Sequence, residues 1–497
     1  MIDKLKSALP GGIYEASLSP SGKATYFMFR GPGPAGQAEG KYVGCVGDGA
    51  ISGEKAGEID GQPITLGPLN DRNAAAVRAV LPWTAPKCAG LHTSAGLGDR
   101  LGLATPGHIR AIRRQGAGLT PFLAQQSIRE MARTGRNPRQ VMDAATWGVL
   151  QEGYRDGFGS DADHLQEPQY IDLTLAQGFT MFTIDPGAHV VNEADDLAAG
   201  DLASAFENLD FDGLEIAKGD IETAYVGRRV ELEGGARVAF DEAVLLRAAV
   251  KYGAAIVHTK TMYRHLVEAA GDRPFELEVS VDETESPTSP AEHYFFAAEL
   301  KRLGVEWVSM APRFIGRMEK GVDYIGDLDA FRARFAEHAA VMRTLGPYKI
   351  SIHSGSDKFS IYPIVAELTD GLVHLKTAGT SYLEAVRAIA HIDPGLFREI
   401  YDFARERYDE DRKTYHVSAD MAKVPPAEDL SDDELADRID DFDTRQALHV
   451  TFGSVLTADD GSRFRTRIYD ALKRREETHY EALARHLGRH VEPFAKT

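Results

Sequence analysis

Residues 348 to 358 read Tyr-Lys-Ile-Ser-Ile-His-Ser-Gly-Ser-Asp-Lys. Tyr348, Ile350 and Ile352 alternate as in a strand. That strand runs into a histidine, two serines, a glycine, an aspartate and a lysine, most of them groups that are costly to bury without partners. The same signature, a short apolar run closing on polar residues, recurs from Cys88 onward in CAGLHTSA, PFLAQQS, FGSDADHL, FTMFTID, FELEVSVDE, EWVSMAP, YKISIHS and LVHLKTA. Helical patterns lie between them, such as NPRQVMDAATWGVLQEGY before the third and DLDAFRARFAEHAAVMRTL before the seventh. Eight strands alternating with helices predict an α/β protein built on a (β/α)8 TIM barrel, in which active sites form at the C-terminal ends of the strands.

Those ends carry, in order, Arg100, Gln125 and Gln126, Asp163 and His164, Asp185, Glu278 and Asp282, Arg313, His353 with Asp357 and Lys358, and Lys376. A closed barrel brings them to one mouth, so groups far apart in sequence become neighbours. An insertion over about 188–273 separates the fourth and fifth strands, and is expected to hold a hairpin, YVGRRVELEGGARVAF, and two helices that could cover the mouth. Residues 1–85 read as a small β-rich module and 381–497 as a helical C-terminal extension whose acidic runs are solvated helix faces. Gly31-Pro-Gly-Pro-Ala-Gly36 matches a dinucleotide fingerprint, yet Pro34 removes one amide that would meet a pyrophosphate, and turn and strand follow where a helix is required. It reads as an ordinary loop.

The 497 residues are 43% hydrophobic and 26% charged, which is ordinary for a globular protein with a large core. A net charge of -19 argues against nucleic acid and anionic membrane partners. Cys45 and Cys88 are too few and too distant for a disulfide framework or a cysteine metal site. The start, MIDKLKSALPGG, lacks a signal-peptide core and no apolar run approaches the length of a membrane span, so a cytoplasmic protein is expected, with homo-oligomerisation allowed.

Asp163-His164 is the strongest local pair, because imidazole is a good ligand for a divalent metal and the adjacent carboxylate can serve as a general base. The competing reading is a surface turn that caps the next helix. Glu278 and His353 at other strand ends favour a metal site, since imidazole and carboxylate together suit such ions. Glu276 and Glu278 share one strand face, where inward carboxylates need a cation or hydrogen-bond donors; a salt bridge to Arg313 is the alternative. Arg313, Lys358 and Lys376 imply an anionic substrate in a locally basic mouth. His92, His189, His416 and His449 read as structural.

From Asp163-His164 through IDLTLAQGFTMFTID the chain resembles class II aldolases of the ketose-bisphosphate type, with FELEVSVDE similar to their glutamate-rich strand and Ile352-His-Ser-Gly-Ser356 similar to their metal and phosphate loop. A further metal histidine of those aldolases is not placed, and no second phosphate site stands out. Across most of its length, through GLGDRLGLATPGHI, FGSDADHL, FTMFTIDPG, IHSGSDKFSIYP, LKTAGTSYLEA and LHVTFGSVL, it most resembles the tagaturonate/fructuronate epimerase family. The resemblance implies a metal-dependent hexuronate 4-epimerase of sugar-acid catabolism, with His164, Glu278 and His353 as ligands of a divalent ion such as zinc, nickel or manganese.

Carbon 4 of a 2-ketohexuronate is not adjacent to the ketone, so deprotonating it yields no carbonyl-stabilised carbanion. Oxidation at that carbon needs a nicotinamide, for which no credible site stands out. Retro-aldol cleavage between carbons 3 and 4 is the remaining route, with Asp163 as base and Asp185 as a second candidate for proton traffic. Arg313, Lys358 and Lys376 would hold the carboxylate and hydroxyls, with Arg100, Gln125, Gln126, Ser354 and Ser356 as further substrate contacts and Gly355 leaving room for close approach. The rival readings are an aldolase that releases its two fragments and a non-catalytic barrel subunit that binds a partner enzyme.

Overall fold

In the computed structural model, which describes residues 1–496, the eight expected strands close into a parallel barrel. They are β1 (Ser94–Gly96), β2 (Thr120–Ser127), β3 (Gly159–Leu165), β4 (Met181–Ile184), β5 (Glu276–Ser280), β6 (Ser309–Ala311), β7 (Lys349–Ile352) and β8 (Val373–Lys376). Each pairs with its neighbour in sequence, and β8 pairs with β1 to close the ring. Every residue of β5 and β7 is buried, as expected for strands covered on both sides.

The barrel interior departs from the usual packing of branched aliphatics. Because side chains alternate along a strand, the inward positions bring together Asp161 and Asp163 on β3, Thr183 on β4, Glu278 on β5 and Lys376 on β8. A lower layer holds Ser94, Lys349 and His374, with Lys349 Nζ donating to Ser94 Oγ at 3.0 Å. Glu276 does not meet Arg313, because it lies below Glu278 near the barrel floor and accepts the backbone N–H of Gly90.

The first 85 residues form a five-stranded antiparallel sheet. One face packs on the helix Ile2–Ala8, and the other on Asp71–Val80 and Pro138–Glu152 through Trp147 and Leu150. Residues 34–36 of the glycine-rich segment form a short turn between two antiparallel strands, with no helix opening there. The insertion contains its hairpin, Arg228–Glu231 with Arg237–Phe240. It holds three helices rather than two: Ala199–Glu207, Lys218–Tyr225 and Glu242–Ala270. The third has 29 residues and packs on the barrel helices Pro168–Leu175 and Pro290–Arg302, so its apolar side belongs to the barrel's outer layer.

The C-terminal helices from Thr380 onward share their own apolar core around Leu383, Phe397, Ile400 and Phe452. The last long helix, Glu476–Val491, is different. Leu483, Leu487 and Val491 join the barrel core, and the helix lies against Thr105–Gln115. The extension is therefore fastened to the barrel by its far end. Among the described residues no helix is long and apolar enough to cross a membrane.

Candidate active site

The site is built on irregularities at two strand ends. The pairing of β3 with β4 shifts register between Ala162 and Leu165, and His164 takes φ 54°. A bulge of this kind re-aims side chains that strict alternation would send to opposite faces. Asp163 and His164, adjacent in sequence, therefore both line one cavity. After β7, Ser354 (φ 49°) and Asp357 (φ 61°) also adopt left-handed backbone, a conformation that costs non-glycine residues of order 1 kcal/mol or more and persists only where surrounding contacts enforce it. Gly355 is required between them, since a Cβ there would stand 2.7 Å from the Ile352 carbonyl oxygen and 2.9 Å from that of Lys376.

Lys376 is the electrostatic hub. Its ammonium lies 2.8 Å from Asp161, 2.7 Å from Asp163 and 2.6 Å from Glu278, and donates to Thr183 Oγ1 at 2.7 Å. Burial works against its charge, but the three carboxylates outweigh burial and hold its pKa well above the ordinary lysine value. Asp163 is also met by His164 Nδ1 at 2.8 Å and by Gln125 Nε2 at 3.0 Å. Burial would raise its pKa; His164 and Lys376 reverse that and keep it ionised. Asp161 has the same lysine but also faces two carboxylates, and burial pushes it up to about 7.

The two histidine rings stand 5.2 Å apart. His353 Nε2 lies 2.7 Å from Glu278 Oε1 and its Nδ1 lies 3.0 Å from Asp282 Oδ1. His164 Nε2 is buried with no hydrogen-bond partner, 3.7 Å from Asp282 and 3.9 Å from Glu283. Burial disfavours a charged imidazole, yet Asp163 holds His164 well above its ordinary value, and Asp282 and Glu278 bring His353 to about 9. Donor atoms of Asp163, His164 and His353 all lie within 4.8 Å of one another, as do those of His164, Asp185 and Glu283.

The other residues singled out from sequence divide by position. Arg100, Gln125, Ser354 and Ser356 line the inner cavity of about 60 Å³ with Asp163, His164, His353 and Lys376. Arg100 is paired with Glu130 at 2.6 Å and stacked over Phe452. Arg313 lines an adjoining outer cavity of about 360 Å³. Three groups lie outside both. Gln126 accepts from Arg136, Asp185 accepts from Gln166 Nε2 and the Gly187 amide at 2.9 Å each, and Lys358 is fully buried beneath the loop. The Lys358 ammonium donates to the carbonyls of Glu319, Val322 and Ser356, which leaves it no path to a ligand.

Asp357 accepts from Arg445 and His486, while its own amide donates to His490 Nε2 at 2.9 Å, so the terminal helix latches the loop that follows β7. With the guanidinium in place and His490 Nε2 occupied, this cluster is a structural tie.

Sequence reading did not single out Arg129, Glu283, Lys320 and Tyr415, and it read His449 as structural; all five line the inner cavity. Glu283 and Arg129 sat beside recognised strand ends, Arg129 in the first turn of the helix Ile128–Thr134 that follows β2. Lys320 and Tyr415 come from loops and His449 from a C-terminal helix, where no periodicity marks direction. His449 approaches so closely that a Cβ on Gly379 would lie 1.9 Å from its ring.

The family described as tagaturonate epimerase matches residues 14–494. A protein of Thermotoga maritima named tagaturonate/fructuronate epimerase is 44% identical over 483 residues, covering 97% of this chain and 96% of that protein. Native and glycerol-complexed crystal structures of fructuronate-tagaturonate epimerase UxaE from Cohnella laeviribosi superpose with TM-scores of 0.91 at 38% identity, covering 99% of this chain and 98% of theirs. With its barrel, N-terminal sheet and helical C-terminus all included in these matches, the chain belongs to the tagaturonate epimerase family.

Proposed function

We propose that this protein interconverts D-tagaturonate and D-fructuronate by inverting carbon 4, with a divalent metal ion and by retro-aldol cleavage and re-addition, in hexuronate catabolism. The observation that carries the reading is Asp163, in contact with Lys376 and His164, beside the unpartnered Nε2 of His164, at the mouth of a barrel matched along its length by proteins named for this epimerisation.

The donor set fits a divalent ion. Two imidazoles face each other in a pocket whose carboxylates favour positive charge at that spot, and one imidazole nitrogen is buried with nothing to bond. Zinc, nickel or manganese suits such nitrogen and oxygen donors. His164, His353 and Glu278 would hold it, with Asp282 adjoining both rings. A bound ion supplies Lewis-acid polarisation of the ketone and its neighbouring hydroxyl.

The chain's own groups manage the proton and the fragments. Asp163 accepts the proton of the carbon 4 hydroxyl as the bond between carbons 3 and 4 breaks. The bonding pair stays with the three-carbon fragment as an enediolate, and carbon 4 becomes an aldehyde. Once the aldehyde has turned its other face, the bond reforms and Asp163 returns its proton to the new hydroxyl. Lys376 keeps Asp163 ionised before cleavage and again once the proton has been returned, and Gln125 fixes its orientation. Asp185 is a second candidate for proton traffic. Arg100, Gln125, Ser354 and Ser356 contact substrate oxygens from the inner cavity, and Arg313 does so from the outer one. The narrow inner cavity keeps both fragments close to Asp163.

Proton NMR of the purified protein with D-tagaturonate tests substrate, reaction and metal together. Fructuronate should form, stop forming with chelator, and form again with an added divalent ion. No turnover under any of these conditions overturns the reading, and steady release of free aldehyde to a coupled dehydrogenase assigns an aldolase instead.

A further inference from the structure

We propose that Lys320 anchors the substrate carboxylate and so decides in favour of sugar acids over neutral sugars, an inference that rests on the substrate class proposed above. Four cationic residues of the lysine and arginine type line the inner cavity: Arg100, Arg129, Lys320 and Lys376. Three are matched by carboxylates, Arg100 by Glu130, Arg129 by Glu283 at 2.8 Å, and Lys376 by its three acids. Lys320 has no carboxylate within 4.0 Å among the described residues. Its ammonium donates only to Ser354 Oγ, at 2.7 Å, beside His353. With the other lysine and arginine charges of the cavity already matched, the one unmatched cation is where an incoming carboxylate gains most.

The backbone around Lys320 is held unusually firmly. Buried Lys358 donates to the Glu319 carbonyl at 2.7 Å, and buried Arg445 Nε donates to the Gly321 carbonyl at 2.8 Å. The Glu319 carboxylate accepts from Ser418 Oγ and Gln446 Nε2, each at 2.8 Å. Groups on three separate segments thus fix residues 319 and 321 on either side of it. Lys320 lines both cavities, so its ammonium stands at the throat between the reacting centre and the vestibule.

A lysine suits this task. The carboxylate belongs to the aldehyde fragment, which must present its other face before the bond reforms. A compact ammonium on a flexible stem allows rotation about the anchored end, where a guanidinium fork would fix the carboxylate plane. Tethering this fragment also gives a reason why it turns rather than leaves.

The test compares binding of D-tagaturonate with that of D-tagatose, which carries a hydroxymethyl group in place of the carboxylate, by titration calorimetry on the full-length wild type, Lys320→Met and Lys320→Arg. Loss of one charged hydrogen-bonded contact should weaken tagaturonate by about 10- to 100-fold in Lys320→Met. Tagatose affinity should stay within about twofold, and Lys320→Arg should recover most of the loss. Equal weakening of both sugars, or none, overturns the anchor. Wild-type protein that binds tagaturonate through Lys320 without epimerising it upholds the anchor and removes the epimerase reading; wild-type protein that fails to bind tagaturonate removes both.

Discussion

Lys376 Nζ lies 2.7 Å from Asp163 Oδ1, although 213 residues separate the two in the chain. The contact joins the third strand to the eighth across the barrel interior, and the same ammonium holds Asp161 and Glu278. Replacing Lys376 by methionine leaves three buried carboxylates facing one another without a cation. Breaking a buried ion pair from one side typically costs about 3–5 kcal/mol. Urea unfolding followed by circular dichroism should show a loss of that size, and a Lys376→Met protein of wild-type stability would contradict the hub.

Asp163→Asn keeps the side-chain shape and removes the proton acceptor. Turnover of tagaturonate should fall by about 10²- to 10⁴-fold, the range expected for loss of a general base. Metal content by mass spectrometry should remain that of the wild type, which separates a base from a ligand.

His164→Ala and His353→Ala should fail to retain a divalent ion through dialysis. Changes outside the ligand set commonly weaken metal binding by about 10- to 100-fold, so loss of a ligand should cost at least ~100-fold. Titration of the stripped proteins with zinc, nickel and manganese measures this directly. Undiminished affinity in either variant would move the ion elsewhere.

Several histidines that do not line the cavities are so deeply buried that burial outweighs any nearby carboxylate, and it lowers His108 to about 4 and His338 and His490 to about 3. Their folded values lie below the unfolded value of about 6.5. The stability each contributes is therefore present above pH 6.5 and lost as pH falls from there toward its folded value, about 4 for His108 and about 3 for His338 and His490, because over that range the unfolded chain takes up protons that the folded one refuses. Each such histidine adds a slope approaching ~1.4 kcal/mol per pH unit. Denaturation midpoints should fall steadily from pH 7 to pH 5, and His338→Gln should flatten that decline.

The barrel was legible in the chain because eight apolar runs alternate with helical patterns, and their register fixed which residues would sit at the mouth. His353, Asp163 and His164 announced themselves as polar groups at the ends of strands that read as buried. The N-terminal sheet, its false nucleotide motif and the hairpin of the insertion were legible for the same local reasons. Direction and pairing were not. Lys376 and Lys358 read alike as cations after strands, yet one joins three carboxylates and the other fastens backbone carbonyls under a loop. Lys320 left no sequence signal at all, since nothing local distinguishes a lysine that lacks a partner.

What the sequence determined by itself is the set of secondary elements and the residue types at their ends, both of which follow from local propensity and from side-chain periods of two and 3.6. What only the tertiary structure decided is which charges meet. That depends on barrel closure, which joins groups as much as 213 residues apart, on the return of the terminal helix to Asp357 across 129 residues, and on the bulge that turns the neighbours Asp163 and His164 into one cavity. Coulomb interactions in a buried interior are set by distances of a few ångströms, and separation along the chain carries no information about them.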